Sequence, residues 1–157
     1  MTLVWCRLEG ETGHEAGRRL LDEAYRAQTG EPLPELAVGP WGKPYIPGSA
    51  WQFSVSHTKR HAFCAFGDRP VGVDAEEADR DVNLRLAEKI LTEPEYAQFE
   101  AAEDKRLALL TFWVLKEAAA KLTGMGLRGY PNHTDFRLDD PRVQRIDGCL
   151  VAVLTEE

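Results

Sequence analysis

Two carboxylates, Asp74 and Glu76, stand two residues apart in Val71-Gly72-Val73-Asp74-Ala75-Glu76. Strand alternation places them on one face and turns Val71, Val73 and Ala75 the other way. Carboxylates held side by side repel, so the arrangement requires solvation, an added proton or a cation between them. A hard divalent ion such as magnesium takes one or two carboxylates together with phosphate oxygens and water. The pair therefore reads either as a metal half-site or as a solvated acidic face running on to Glu77 and Asp79. A second group, Trp113, Glu117 and Lys121, is spaced by four and lies along one stripe of a helix. Glu117 and Lys121 can touch there, either as part of a site or as a surface pair contributing only about 0.3–0.5 kcal/mol.

Other residues suit an anion. Phe53-Ser54-Val55-Ser56-His57-Thr58 ends a strand in hydroxyls and an imidazole, which together with free backbone amides suits a phosphate, or simply an ordinary turn. Lys43, in the turn Trp41-Gly42-Lys43-Pro44, presents a fixed positive charge or a solvated one. His57 and His61 have the spacing of a helical zinc pair, but the surrounding alternation is that of strands. No GxSxG elbow accompanies Ser56 to make it a nucleophile. The glycines of Gly124-Met125-Gly126 follow a helix, whereas a phosphate loop precedes one, so they read as a helix stop.

The elements that position these residues follow from the apolar pattern. A first strand is expected over Thr2 to Leu8 and a helix over His14 to Gln28, with Ala16, Leu20, Leu21, Ala24 and Tyr25 inward and Gly30 ending it. Proline and glycine forbid a long regular element from Glu31 to Pro47. Gln52 to Ser56 and Ala62 to Phe66 make a hairpin, and Val71 to Glu76 a further strand. Short helices are expected at Asn83 to Leu91 and Glu93 to Ala102, and a long one at Lys105 to Thr123 with Leu107, Leu110, Val114, Ala118 and Leu122 inward. Strands return at Thr134 to Leu138, Val143 to Ile146 and Leu150 to Leu154. The pattern is that of an α+β protein whose halves meet near Gly67.

The 157 residues, 43% of them hydrophobic, suffice for one domain with a sizeable core. No apolar run approaches the roughly 20 residues of a membrane span. The first residues lack the basic start and cleavage site of a leader, so a cytoplasmic location is expected. Cys6, Cys64 and Cys149 are odd in number and widely spaced, as buried free thiols are, not as a disulfide or zinc set. A formal charge of −7 with no basic stripe argues against nucleic acid as a partner.

Taken in order, Gly42-Lys43-Pro44, then Phe53 to Thr58, then Val71 to Glu76, then Trp113-Val114-Leu115-Lys116-Glu117-Ala118-Ala119-Ala120-Lys121, the chain resembles the 4′-phosphopantetheinyl transferases, and more closely their surfactin-synthetase-activating (Sfp-like) type. The likeness runs from about Trp41 to Leu127, and more loosely along the Gly17 to Ala27 helix. Ser54 stands where relatives carry Asn, Ala75 where they carry a branched residue, and the acidic Glu9 to Glu15 where they carry lysines.

The resemblance implies an α+β fold of two pseudo-symmetric α/β halves, residues 1–66 and 67–157, with coenzyme A in the cleft between them and the metal site in the second. It implies transfer of phosphopantetheine from coenzyme A to a serine of an apo acyl, polyketide or peptidyl carrier protein, dependent on magnesium and releasing adenosine 3′,5′-bisphosphate. Asp74, Glu76 and Glu117 would hold the metal, with Glu117 also as general base and Lys121 neutralising phosphate charge. Arg19, Lys43, Pro44, Ser56, His57 and Lys121 would hold coenzyme A. Glu95 matches a further acidic position, and Arg80, Arg85 and Lys89 would meet an acidic carrier. The implied enzyme is a monomer. A catalytically silent coenzyme A or carrier binder of the same fold, or a metal-dependent pyrophosphate hydrolase, uses the same residues.

Overall fold

The structure, a computed structural model, describes residues 1–125 and 134–156. Strand β1 (Thr2–Arg7) leads through Thr12 into helix α1 (Gly13–Thr29). The Thr12 side chain accepts the Glu15 amide at 3.1 Å, satisfying an end group the helix cannot, and Gly30 closes the helix at φ 75°. Within the Pro/Gly-rich stretch only a two-residue pair forms, β2 (Ala37–Val38) with β3 (Pro44–Tyr45). Then come β4 (Gln52–His57), β5 (His61–Gly67) and β6 (Val71–Glu77), a 3₁₀ turn at Leu84–Leu86, and helices α2 (Ala87–Ile90), α3 (Glu93–Ala101) and α4 (Lys105–Thr123). Strands β7 (Val143–Ile146) and β8 (Cys149–Thr155) end the chain.

Two antiparallel three-stranded sheets result, ordered β1-β5-β4 and β6-β8-β7. Alternation sorts their side chains into layers. On β5, Ala62, Cys64 and Phe66 face α1 and its stripe of Ala16, Leu20, Leu21 and Ala24. Phe63 and Ala65 face the other way and pack on Val71, Val73, Ala75, Cys149 and Val151 of the second sheet. That sheet turns Leu150, Ala152 and Leu154 toward α4, whose Leu110, Val114 and Ala118 lie in the core as the spacing requires. The order of layers is thus α1, first sheet, second sheet, α4. No described helix is long and apolar enough to cross a membrane.

Two expected elements differ. The single helix over Asn83 to Leu91 is instead the 3₁₀ turn, started by the Asn83 side chain, followed by the one-turn α2. Thr134 to Leu138 is irregular. Its backbone groups bond to side chains of α3 instead of a neighbouring strand: Phe136 N–H donates to Glu95 at 2.9 Å, Leu138 N–H donates to Gln98 at 3.1 Å, and the Phe136 carbonyl accepts from Gln98 at 3.3 Å.

Gly72 is where α4 meets β6 most closely. A Cβ there would overlap the Ala118 carbonyl oxygen and lie 2.6 Å from the Leu122 amide nitrogen, both backbone atoms of α4. Neither can rotate aside, so Gly72→Ala is expected to cost about 3 kcal/mol, at the upper end of ordinary overpacking. A denaturant midpoint unchanged from wild type would refute that packing.

Candidate active site

Strands β4 and β6 are the facing edges of the two sheets, and serine hydroxyls join them where ladder bonds would otherwise run. Ser54 Oγ accepts the Val73 amide at 3.0 Å and Ser56 Oγ accepts the Ala75 amide at 3.1 Å. Both serines are buried. Ser56 Oγ also lies 3.4 Å from Asp74 Oδ1, which takes a 3.0 Å hydrogen bond from Lys121 Nζ. Lys121 sits one turn along α4 from Glu117 and also reaches the Val55 carbonyl at 3.4 Å.

Asp74 is buried, and its Oδ2 has no hydrogen-bond partner among the described residues. Burial pushes its carboxyl up to about 7; Lys121 opposes this, while the charges of Glu117 and Glu76 add to it. Burial likewise raises Glu117, with Lys121 drawing it down and Glu76 pushing it up. Glu76 is half-buried and held at 2.6 Å by Arg80. A buried orphan oxygen amid three mutually repelling carboxylates fits a hard divalent cation, so this donor set suits magnesium. The three have not converged as closely as a ligand cage, since their oxygens do not all lie within 4.8 Å of one another.

Beyond Lys121 opens a cavity of about 500 Å³, within the range of small-ligand sites. Its walls come from α1 (His14, Arg18), from Trp41 to Pro44, from β4 (Phe53, Val55, His57) and from α4 (Glu117, Ala120, Lys121, Gly124). The His57 ring lies over the first turn of α1. A Cβ on Gly13 would overlap that ring, so glycine there lets it seat.

Lys43 and Pro44 line the cavity, but the Lys43 ammonium donates to the Val71 carbonyl at 3.1 Å and the Lys121 carbonyl at 2.7 Å. It thus neutralises the negative end of α4, and burial lowers its pKa. Ser56 stands behind the wall at the seam and Arg19 outside it, where Arg19 pairs with Glu11 at 2.6 Å and Glu23 at 3.3 Å. Its neighbour Arg18 takes the place on the wall expected of Arg19. A helix turns by about 100° per residue, so Arg18 and Arg19 flank the buried stripe of Ala16, Leu20 and Leu21 on opposite sides, and it is the flank of His14 and Arg18 that faces the cavity. Glu95 lies away from the cavity, fully buried, 2.7 Å from Lys116. Gly124 ends α4 at φ 72°; Gly126 lies outside the described residues.

The Asp74 shift has a measurable sign. An unfolded aspartate releases its proton near 3.9 and the folded one near 7. Between those values the native state holds more protons, so this group's contribution to stability falls as pH rises through the window. In the presence of a chelator the melting temperature should carry that downward component, and added Mg²⁺ should raise melting more at about pH 8 than at about pH 5.5. An equal Mg²⁺ shift at both pH values would contradict the assignment.

A sequence profile of the 4′-phosphopantetheinyl transferase superfamily matches residues 70–151, just over half of the chain. The chain is 28% identical over 108 residues to the 4′-phosphopantetheinyl transferase gsp of Aneurinibacillus migulanus, covering 68% of this chain and 44% of that protein. It is 34% identical over 91 residues to the 4′-phosphopantetheinyl transferase Sfp of Bacillus subtilis strain 168, covering 55% and 40%. A further 4′-phosphopantetheinyl transferase of Bacillus subtilis is 30% identical over 108 residues, covering 67% and 48%. The chain spans less than half the length of these curated relatives. The acids on β6 and the Glu117 and Lys121 pair on α4 all fall inside the profile match, and the chain belongs to the 4′-phosphopantetheinyl transferase superfamily.

Proposed function

We propose that the protein transfers the 4′-phosphopantetheine group of coenzyme A to a serine of an apo carrier protein. The observation that carries this reading is the cluster of Asp74, Glu76 and Glu117 around an orphan buried oxygen, with Lys121 between it and the cavity. Residues 1–66 and 67–157 act as the two halves of the family fold, with coenzyme A in the cleft between them. Asp74, Glu76 and Glu117 hold Mg²⁺, which when bound neutralises pyrophosphate charge and polarises the bond to be broken.

The side chains supply the rest. Trp41, Phe53 and Val55 offer apolar surface to the coenzyme, while His14, Arg18 and His57 face its anionic end. Lys121 turns its ammonium to the phosphate oxygens on which charge develops. Glu117, its pKa raised by burial, accepts the proton of the carrier serine. The serine oxygen bonds to the pantetheine-bearing phosphorus, the bridging P–O bond breaks, and adenosine 3′,5′-bisphosphate leaves. Ser56 steadies Asp74 and the seam. The exposed Arg85 and Lys89, with Arg80 beside Glu76, present positive charge to an acidic carrier. The enzyme works as a cytoplasmic monomer without nucleic acid or membrane.

Intact-mass spectrometry of several apo carrier proteins incubated with the protein, coenzyme A and Mg²⁺ tests the proposal. One phosphopantetheine added to the carrier, and none without Mg²⁺, is expected. Coenzyme A bound with no carrier labelled would identify a silent binder, and coenzyme A cleaved with no carrier labelled a pyrophosphate hydrolase.

A further inference from the structure

At one rim of the layer between the sheets the alternation delivers three side chains of another kind. His61 opens β5, Glu77 closes β6 and Cys149 opens β8, each in phase with the apolar residues facing across that layer. All three are buried. His61 Nδ1 lies 2.8 Å from Glu77 Oε1, and Cys149 Sγ lies 3.3 Å from both His61 Nδ1 and Glu77 Oε2. Among the described residues this is the one set of three ligand-type side chains whose atoms all fall within 4.8 Å of one another. The cysteines alone are no zinc set, but folding brings one of them an imidazole and a carboxylate that lie more than 70 positions away.

We propose that His61 Nδ1, Glu77 and Cys149 form a transition-metal site, suited to Zn²⁺, distinct from the acidic cluster. Glu76 and Glu77 point to opposite faces of β6, so the two sites lie on opposite sides of the second sheet. A thiolate and an imidazole select a borderline ion such as zinc over magnesium. One thiolate and one carboxylate balance its two positive charges, which a buried ion requires. Tetrahedral bonds of about 2.0–2.3 Å put ligand atoms roughly 3.3–3.6 Å apart, so the present 2.8–3.3 Å spacing needs only a few tenths of an ångström of spreading.

The outer partners have the form that zinc histidines require. His61 Nε2 is 2.8 Å from Asp147 Oδ2, fixing the ring so that Nδ1 faces the other two ligands. Asp147 is itself gripped by Arg7 at 2.6 and 2.7 Å, and sits at φ 48° in the Asp147-Gly148 turn between β7 and β8. Thr58 donates to Glu77 Oε1 at 2.8 Å, while Arg60 reaches Oε2 at 3.4 Å. Three protein ligands leave a fourth position for water. The ion would tie β5 of the first sheet to β6 and β8 of the second.

The test uses the whole protein, stripped with chelator and titrated with Zn²⁺ and with Co²⁺ as a visible probe. A thiolate-to-cobalt charge-transfer band that saturates at one ion per chain is expected. Cys149→Ser and His61→Gln should abolish the band and weaken binding by about a hundredfold or more, while Cys6→Ser and Asp74→Asn leave both intact. If the Cys149 variant fails to fold, a band retained by Cys6→Ser still assigns the thiolate, because Cys64 packs against α1 in the apolar core. Absence of a thiolate band in the wild type, or binding indifferent to His61→Gln, would overturn the site and leave a purely polar clasp.

Discussion

Asp74→Asn is expected to lower phosphopantetheine transfer by roughly 10²–10³-fold, the loss seen when a group that stabilises transition-state charge is removed. The substitution keeps the shape of the side chain and its bond to Lys121 while deleting the charge on which a cation depends. It should also stabilise the protein in chelator at about pH 8, because the native fold disfavours an ionised Asp74 that asparagine cannot become. Loss of activity with gain of stability is the signature, and it separates a functional acid from a structural one. Glu117→Gln should match it in rate. Transfer at the wild-type rate by Asp74→Asn would refute the proposed role of the acidic cluster, and a fall in activity accompanied by unfolding would refute the stability argument.

Lys116→Met should be the most damaging of the variants for stability, and by a different route. Lys116 and Glu95 form a 2.7 Å ion pair whose side chains are both fully buried. Glu95 also accepts the Thr92 amide at 2.9 Å and the Phe136 amide, so it fastens α3, α4 and the Thr134 to Leu138 segment together. Removing the lysine leaves a carboxylate without its counter-ion in the core, at a cost of about 3–5 kcal/mol. In a chain of this length that lowers melting by roughly 10 °C. Lys116→Met with Glu95→Gln, which retains an acceptor and deletes the charge, should recover part of the loss. A double variant no better than Lys116→Met would show that the damage came from packing.

The regular part of this architecture was legible because its signals are local. Helix α4 follows from its periodicity and from Gly124, and strands β4 to β6 from alternation and turns. Asp74 and Glu76 sharing a face is the same arithmetic. What escaped depends on partners far along the chain. Thr134 to Leu138 has the composition of a strand, but Glu95 and Gln98, about 40 residues earlier, take its amides. The Lys43 ammonium reaches one carbonyl of β6 and one of α4, which only the fold brings near. Arg18 and Arg19 look alike as a dipeptide, and helix phase decides which one meets the cavity. His61, Glu77 and Cys149 each read as unremarkable until three strands meet.

The serine seam has a consequence for strand pairing. An edge strand bares a row of amides that can template a foreign strand, and proteins commonly blunt such edges with charge, proline or a covering loop. Here β4 and β6 cover one another, with Ser54 and Ser56 answering the outward amides of Val73 and Ala75. A strand needs its backbone to pair, but a hydroxyl can satisfy an amide without extending the ladder. The two sheets therefore remain separate, and neither β4 nor β6 is left open to another molecule.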